Sequence, residues 1–328
     1  MVDGKKLVVS ASPHLRTKDT TTKIMLDVII ALLPALGAST AIFGPRVLAV
    51  AATTVISAVL SEYVARKVMK RHNTLKDLSA VVTGLILAFN LPVSIPLWMA
   101  AIGSFFAIVV VKQFFGGIGQ NFANPAIAAR IFLLISFGQQ MGNWTAPLAW
   151  KSADAVSSAT PLAILGGESA EALPSLVDML IGVRGGSLGE TCSIALILGG
   201  IYLIARKVIS PKIPFAYLGT VAVVMLIAGK FDLEFLAYEL MGGGLLLGAF
   251  FMATDYSTSP IKSNAKIVFG IGCGLITCII RLFGSLPEGV SFAILIMNLL
   301  VPHIERITTP KPFGTPKKEK KAKEADAK

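Results

Sequence analysis

Stretches of 17 or more residues without a single Lys or Arg recur along this chain, 24–45, 77–111 and 231–261 among them. A helix crossing the hydrocarbon of a bilayer needs about 20 predominantly apolar residues, with roughly 17 as the lower limit. Charged residues make up only 15% of the 328, and 54% are hydrophobic, whereas a soluble domain carries about 25% charged residues. This pattern excludes an ordinary soluble enzyme and predicts an all-α polytopic membrane protein.

Ten apolar segments lie between polar breaks, at 24–43, 47–63, 78–91, 95–111, 122–138, 191–205, 213–229, 235–254, 267–283 and 290–304. Segments 78–91, 191–205 and 290–304 are short for a full crossing and are expected to include broken or half-helices. The first 23 residues lack an apolar core of signal-peptide length, so the first span is expected to act as its own insertion signal.

Loop charge sets the orientation. With the N-terminus in the cytoplasm and ten alternating spans, 24 Lys and Arg residues fall inside and five (Arg46, Lys151, Arg184, Lys230, Arg281) outside, with Arg130 within a span. That asymmetry predicts a multi-pass protein of the cell (inner or cytoplasmic) membrane with both termini cytoplasmic. The net charge of +11 is thereby explained as topogenic and, in the tail, lipid-facing, with no nucleic-acid partner. The expected organisation is a cytoplasmic segment 1–23, a first five-helix half 24–138, an outside loop 139–190, a second five-helix half 191–307 and a disordered basic tail 308–328. An odd number of spans per half means that related halves would be inverted, with a site at their interface. Gly84-Leu-Ile-Leu-Ala and Gly244-Leu-Leu-Leu-Gly, in spans three and eight, are the repeat signal.

Three runs can carry chemistry. In the outside loop, Asp154-Ala-Val-Ser157-Ser158-Ala159-Thr160 surrounds a hydroxyl with small residues, which reads as an accessible, flexible Thr that an external enzyme can modify; on composition alone a plain Ser/Thr-rich turn is the stronger reading. After span four, Gly116-Gly-Ile-Gly-Gln120-Asn121-Phe-Ala-Asn124-Pro125 offers a Gly-rich approach and the amides of Gln120, Asn121 and Asn124, which match the imide and ring nitrogens of an isoalloxazine. Arg130 follows inside span five, where an unpaired cation is costly. The competing reading has Asn124-Pro125 capping the helix and Arg130 snorkelling. Third, Thr254-Asp255-Tyr256-Ser257-Thr258 closes span eight and admits a second polar site between the halves. Asp27, Glu62, Asp77 and Glu239 lie in or near spans, with Asp27 and Asp77 close enough to a boundary to be hydrated. Cys192, Cys273 and Cys278 do not make an iron–sulfur ligand set, and no metal site is expected.

The run from Asp154 to Thr160 resembles the motif on which flavin transferases attach FMN through a phosphoester to the final threonine. Taken with Ser12-Pro13-His14, the Met25-to-Ala35 span, Gly116-to-Arg130 and Ala253-Thr-Asp-Tyr-Ser-Thr-Ser-Pro260, the sequence resembles the D subunits of Rnf-type ferredoxin:NAD oxidoreductases, homologous to the B subunits of Na⁺-pumping NADH:quinone oxidoreductases. The resemblance covers about Leu7 to Pro310. It implies an electron-carrying flavoprotein subunit of a multisubunit redox-driven ion pump, a translocase component rather than a complete enzyme, moving Na⁺ or H⁺. It implies covalent FMN on Thr160, recognised with Asp154, Ser157 and Ser158, and a second, non-covalent flavin (riboflavin) of the kind members can hold, for which Gln120, Asn121, Asn124 and Arg130 are the candidates. The implied partners are the other membrane and peripheral subunits, including an FMN-carrying subunit on the outer face, a flavin transferase for maturation, and lipid. The alternative is a stand-alone channel or secondary transporter without flavin, to which the five-plus-five arrangement is also suited.

Overall fold

The computed structural model describes residues 19–151, 157–167, 169–284 and 288–310. Among these, regular structure is helical, apart from an isolated antiparallel bridge between Thr145 and Ser157. Ten apolar segments appear where the charge-free stretches require them. They are α1 (Thr21–Phe43), α2 (Arg46–Val68), α3 (Ser79–Phe89), α4 (Leu97–Gln113), α5 (Pro125–Ser136), α6 (Ser193–Ala205), α7 (Lys212–Ala228), the bent pair α8 (Leu233–Met241) and α9 (Leu245–Met252), α10 (Ser263–Phe283) and α11 (Val290–Ile307). Four of them, α1, α2, α10 and α11, are long and apolar enough to cross a membrane alone, and the α8–α9 pair passes as one broken span. This is an all-α polytopic membrane protein.

The breaks lie elsewhere than length alone suggests. The last span, expected to stop short, runs 18 residues through Pro302. Segment 235–254, expected to be continuous, bends by 61° between α8 and α9. Gly242, Gly243 and Gly244 make that corner, and Gly243 takes φ +60°, a left-handed conformation that only glycine adopts freely. Both α4 and α9 end in π-helical turns, marked by Phe114 N donating to Val109 O and Ala253 N donating to Gly248 O. Such widened turns collect at functional sites.

One continuous apolar core runs through both sets of five segments. The repeat-like runs 84–88 and 244–248 are buried throughout. Close approach of α3 to α2 depends on Gly84, where a Cβ would stand 2.8 Å from Val55 Cα and 3.0 Å from Thr54 O. Small residues serve this purpose in membrane bundles, where van der Waals packing replaces the hydrophobic drive. The opposite faces of the long helices present Leu33, Ile56, Val64, Val223 and Ile279 outward.

Two charged groups buried in the bundle are paired. Lys112, expected among the cytoplasmic loop charges, is instead buried in α4, its Nζ 2.9 Å from Glu62 Oε2 and 2.6 Å from Ser79 Oγ. Asp27, expected to be hydrated at a boundary, is buried and accepts from Tyr202 Oη (2.9 Å) and Arg206 Nη2 (3.3 Å), fastening α1 to α6.

Gly84→Val should lower stability by about 1–3 kcal/mol, the usual cost of overpacking. Gly37→Ala, where a Cβ meets nothing within 4 Å, should leave stability unchanged or raise it slightly. Thermal unfolding in detergent measures both, and an unaltered Gly84→Val protein would contradict the close α2–α3 approach.

Candidate functional site

Two polar sites lie at opposite ends of α3. The first is a chamber built around Arg130. Asn124 caps α5, and six residues on, about 9 Å along the axis, Arg130 projects into the bundle and is 5% exposed. Its Nη1 donates to Asn90 Oδ1 at 2.7 Å, its Nη2 lies 3.6 Å from Glu190 Oε1, and Nη2 also pairs with Glu288. A guanidinium so enclosed is not snorkelling.

The chamber walls are segments whose backbone leaves the helical ladder. Residues 184–191, Arg-Gly-Gly-Ser-Leu-Gly-Glu-Thr, are buried although non-helical. They are held by Leu188 N donating to Leu91 O, Gly189 N to Phe89 O, and the Arg184 guanidinium to Glu190 O at 2.6 Å. Buried non-helical backbone persists only where its polar groups find partners within the protein. The α8–α9 corner forms another wall, with Gly244 facing Glu190 Oε1 and Arg130 Nη1, and Gly243 facing Arg281 Nη2 and Glu288 Cγ. Arg281 is spent on Glu239 Oε2 (2.8 Å) and on the carbonyls of Glu239 and Gly242.

Burial and the adjacent Glu288 carboxylate push Glu190 up to about 8, against the pull of Arg130. Burial also works against Glu288, but Arg130, the Glu190 carboxyl and Arg281 hold it below the ordinary carboxylate range. Burial lowers Arg184 to about 10.

The roof of this chamber is the loop carrying Thr160. Ser157 bridges to Thr145, Ser158 N donates to Trp144 O (3.1 Å), and Ala159 N donates to Glu171 Oε2 (3.1 Å). Ser158 Oγ and Ala159 O crowd Gly185, and Leu162 covers Gly242 and Gly243. Thr160 caps the short helix Pro161–Leu165, its Oγ1 accepting from Ala163 N at 3.3 Å, and it is only 5% exposed. The expectation of an accessible, flexible Thr is therefore corrected. Ser158, Ala159 and Leu162 pack its loop against Gly185, Gly242 and Gly243. Asp154 lies outside the described residues.

The second site is a small cleft at the other end of α3, with a cavity volume of about 70 Å³. Val82, Ile86, Phe250 and Phe251 line its apolar side, and Ser79, Lys112, Asn121 and Asp255 its polar side. Asn121 Oδ1 is buried there with no hydrogen-bond partner. Asn124 is committed: Oδ1 accepts from Ala126 N (3.0 Å) and Ile127 N (3.4 Å), and Nδ2 donates to Met252 O (3.2 Å). Asp255 accepts from Ser257 and Thr258 hydroxyls, and burial raises its carboxyl above the ordinary value. Gln120, expected with the other amides, is exposed and folds over Gly116 outside the cleft. The structure thus keeps Asn121 and Asn124 together, detaches Gln120 and moves Arg130 to the chamber. Sequence reading passed over Glu190, Glu288 and Asn90. The only signal for the two acids was charge beside glycine at span boundaries of a charge-poor chain.

The chamber and cleft are joined by Met252. Asn124 Nδ2 binds its carbonyl, Asn90 Nδ2 lies 3.3 Å from its sulfur, and Asn90 Oδ1 accepts from Arg130.

Residues 8–314 match the model of the NQR2, RnfD, RnfE family. The chain is 48% identical over 319 residues, 97% of its length and 98% of the relative, to the D subunit of the Na⁺-translocating ferredoxin:NAD⁺ oxidoreductase complex of Acetobacterium woodii. It is 42% identical over 322 residues (94% and 96%) to the D subunit of the proton-translocating ferredoxin:NAD⁺ oxidoreductase complex of Clostridium ljungdahlii. With the D subunit of the ion-translocating oxidoreductase complex of Stutzerimonas stutzeri it shares 38% identity over 329 residues (90% and 93%).

Arg130→Met should destabilise the chain by about 3–5 kcal/mol, because it strands buried carboxylates without their cation. Thermal unfolding in detergent near pH 7 measures this, and a loss under 1 kcal/mol would show that the ion pairs are solvated.

Proposed function

We propose that this chain, which belongs to the NQR2, RnfD, RnfE family, is a flavin-carrying electron-transfer subunit of a membrane complex that couples ferredoxin:NAD oxidoreduction to cation transport. The observation that carries the reading is the pairing of two polar sites in one bundle. The Thr160 loop roofs one end of α3, and a cleft holding an unpartnered amide oxygen opens at the other. The 11 residues of α3 separate them by about 16 Å. A single carrier would face about 30 Å of hydrocarbon, so two stations shorten the gap.

The residues present fit a flavin at both places. At the roof, Thr160 Oγ1 is the attachment atom for FMN through a phosphoester, in a loop of small residues where Ser158 Oγ has no partner. In the cleft, Asn121 Oδ1 is a buried acceptor that an imide N–H satisfies, and Phe250 and Phe251 offer apolar contact to a ring system. Bound flavin supplies reversible one- and two-electron chemistry.

The chain's own residues bind, orient and exclude water. Ala163 N fixes the direction of Thr160 Oγ1. Leu162 seals the chamber over Gly242 and Gly243. Asn124 holds α5 to Met252 and so fixes the cleft wall that presents Asn121. Attachment by a flavin transferase precedes docking of the loop, since the hydroxyl is buried once docked. The Lys and Arg asymmetry supports an outer-face position for Thr160 and cytoplasmic termini. The partners are the remaining subunits of the complex, among them an FMN-carrying subunit on the outer face. Cation coupling is a property of the whole assembly: relatives are named for Na⁺ in one case and for protons in another.

Peptide mass spectrometry of protein from a transferase-competent cell should show an increment of roughly 438 Da, FMN less water, on the Thr160 peptide. Thr160→Ala should abolish it while the chain still inserts. An unmodified Thr160 peptide would refute the attachment. Asn121→Ala should weaken the extractable flavin by roughly five- to 150-fold, the equivalent of about 1–3 kcal/mol for a lost buried hydrogen bond, without touching the covalent one. Unchanged flavin content at limiting flavin would remove Asn121 from the site.

A further inference from the structure

Among the described residues, Glu190 and Glu288 both reach the Arg130 guanidinium, with Arg184 and Arg281 beside them in the chamber. Arg281 is consumed by Glu239 and two carbonyls, and Arg184 by Glu190 O and the sulfur of Met179, so neither meets the Glu190 or Glu288 carboxylate in a hydrogen bond. That leaves Arg130 to answer both Glu190 and Glu288. Glu190 is 3% exposed, and among the described residues neither its Oε1 nor Glu288 Oε1 has a hydrogen-bond donor. Two adjacent carboxylates that share one hydrogen-bonding guanidinium in a buried site cannot both stay ionised at low cost, and one proton between them relieves their repulsion.

We propose that Glu190 and Glu288 form a binding site for one exchangeable proton beneath the Thr160 loop. The proton rests on Glu190, whose carboxyl lies beside the Glu288 carboxylate, and Arg130 holds that carboxylate. The pair titrates as a unit. Its groups come from every wall: Arg130 from α5, Arg184 and Cys192 from the buried segment, Arg281 from α10 and Glu288 before α11, with Glu239 of α8 behind Arg281.

Hydroxyls that can relay a proton lie in the chamber's walls. Ser187 and Thr191, both fully buried, and Ser158 in the roof have hydroxyl oxygens without partners among the described residues. A hydroxyl both donates and accepts, so each of the three can pass a proton on. Gain of a proton converts one carboxylate to a carboxylic acid, with solvent as its source; no other bond changes. Electron arrival at a group on Thr160 adds negative charge above the chamber and favours that uptake. This coupling rests on the function proposed above, whereas the proton site itself does not.

Because the folded chain holds this proton up to about pH 8 and the ordinary carboxyl titrates near 4.5, the proton's stabilising contribution is complete below about 4.5 and is lost as pH rises through about 8. The direct test uses the full Thr160→Ala chain, which carries no covalent flavin. Infrared difference spectra between about pH 6.5 and 9.5 should show one carboxylic-acid carbonyl band disappearing with a midpoint near 8. Glu190→Gln should eliminate the band. Glu288→Gln keeps Glu190 but removes the like charge, and it should move the midpoint to lower pH. Absence of any titrating acid band, or a titration unmoved in both variants, would overturn the proton site. In the flavin-loaded complex, the covalent flavin's reduction potential should depend on pH between 7 and 9, less steeply in Glu190→Gln. An equal slope in both would overturn the coupling alone. A chain that never acquires flavin on Thr160 would overturn the functional reading while leaving the infrared result standing.

Discussion

A guanidinium enclosed by helices must be answered by groups of the protein itself, and one end of this bundle is arranged around that of Arg130. Its charge draws in Glu190 from a buried non-helical segment and Glu288 from the approach to α11, and its other arm holds the Asn90 amide where α3 ends. Each partner sits where a helix stops. That coincidence has a physical reason, since a helix end exposes backbone donors and acceptors that burial leaves to find partners within the protein. The chamber lets charged side chains, glycine corners and short backbone bonds satisfy one another, and the broken spans are intelligible only as its walls.

The same geometry explains why the two sites lie in one chain. An uninterrupted bundle would pack more simply, but it would offer no polar surface at either end of α3. Shortening α3 to 11 residues, bending α8 against α9 by 61° and widening the ends of α4 and α9 into π-turns opens a chamber on one side and a cleft on the other. Met252 stands between them, bound through its carbonyl to Asn124 and touched at its sulfur by Asn90. The Lys112–Glu62 pair gives the cleft its own neutralised charge.

Much of this was legible in the sequence because a bilayer imposes length and charge rules that act locally. The ten apolar segments and the Gly116-to-Asn124 turn follow from composition along the chain. The break in span eight was not foreseen, although three consecutive glycines mark it, because mean hydropathy across the segment hides a corner. Ion-pair partners are a different matter. Glu190 and Glu288 stand 60 and 158 positions from Arg130, and nothing along the chain ties them to it. Asn124 shows a residue for which the bland reading, a helix cap, holds and the amide is consumed by it, while its neighbour Asn121 keeps a free oxygen. Thr160 was singled out by its motif, yet its burial was invisible because the glycines that receive it come from segments far away in sequence.

The central claim is that one chain holds two flavins in two chemically different ways, one bonded to the roof of the chamber and one resting in the cleft. Counting flavin per chain before and after denaturation and gel filtration tests it most directly. The account requires one flavin that stays with the unfolded polypeptide and one that is released, with Thr160→Ala losing only the retained one and Asn121→Ala depleting only the released one. A purified, transferase-exposed chain that is colourless, or whose flavin leaves entirely on denaturation, would contradict it.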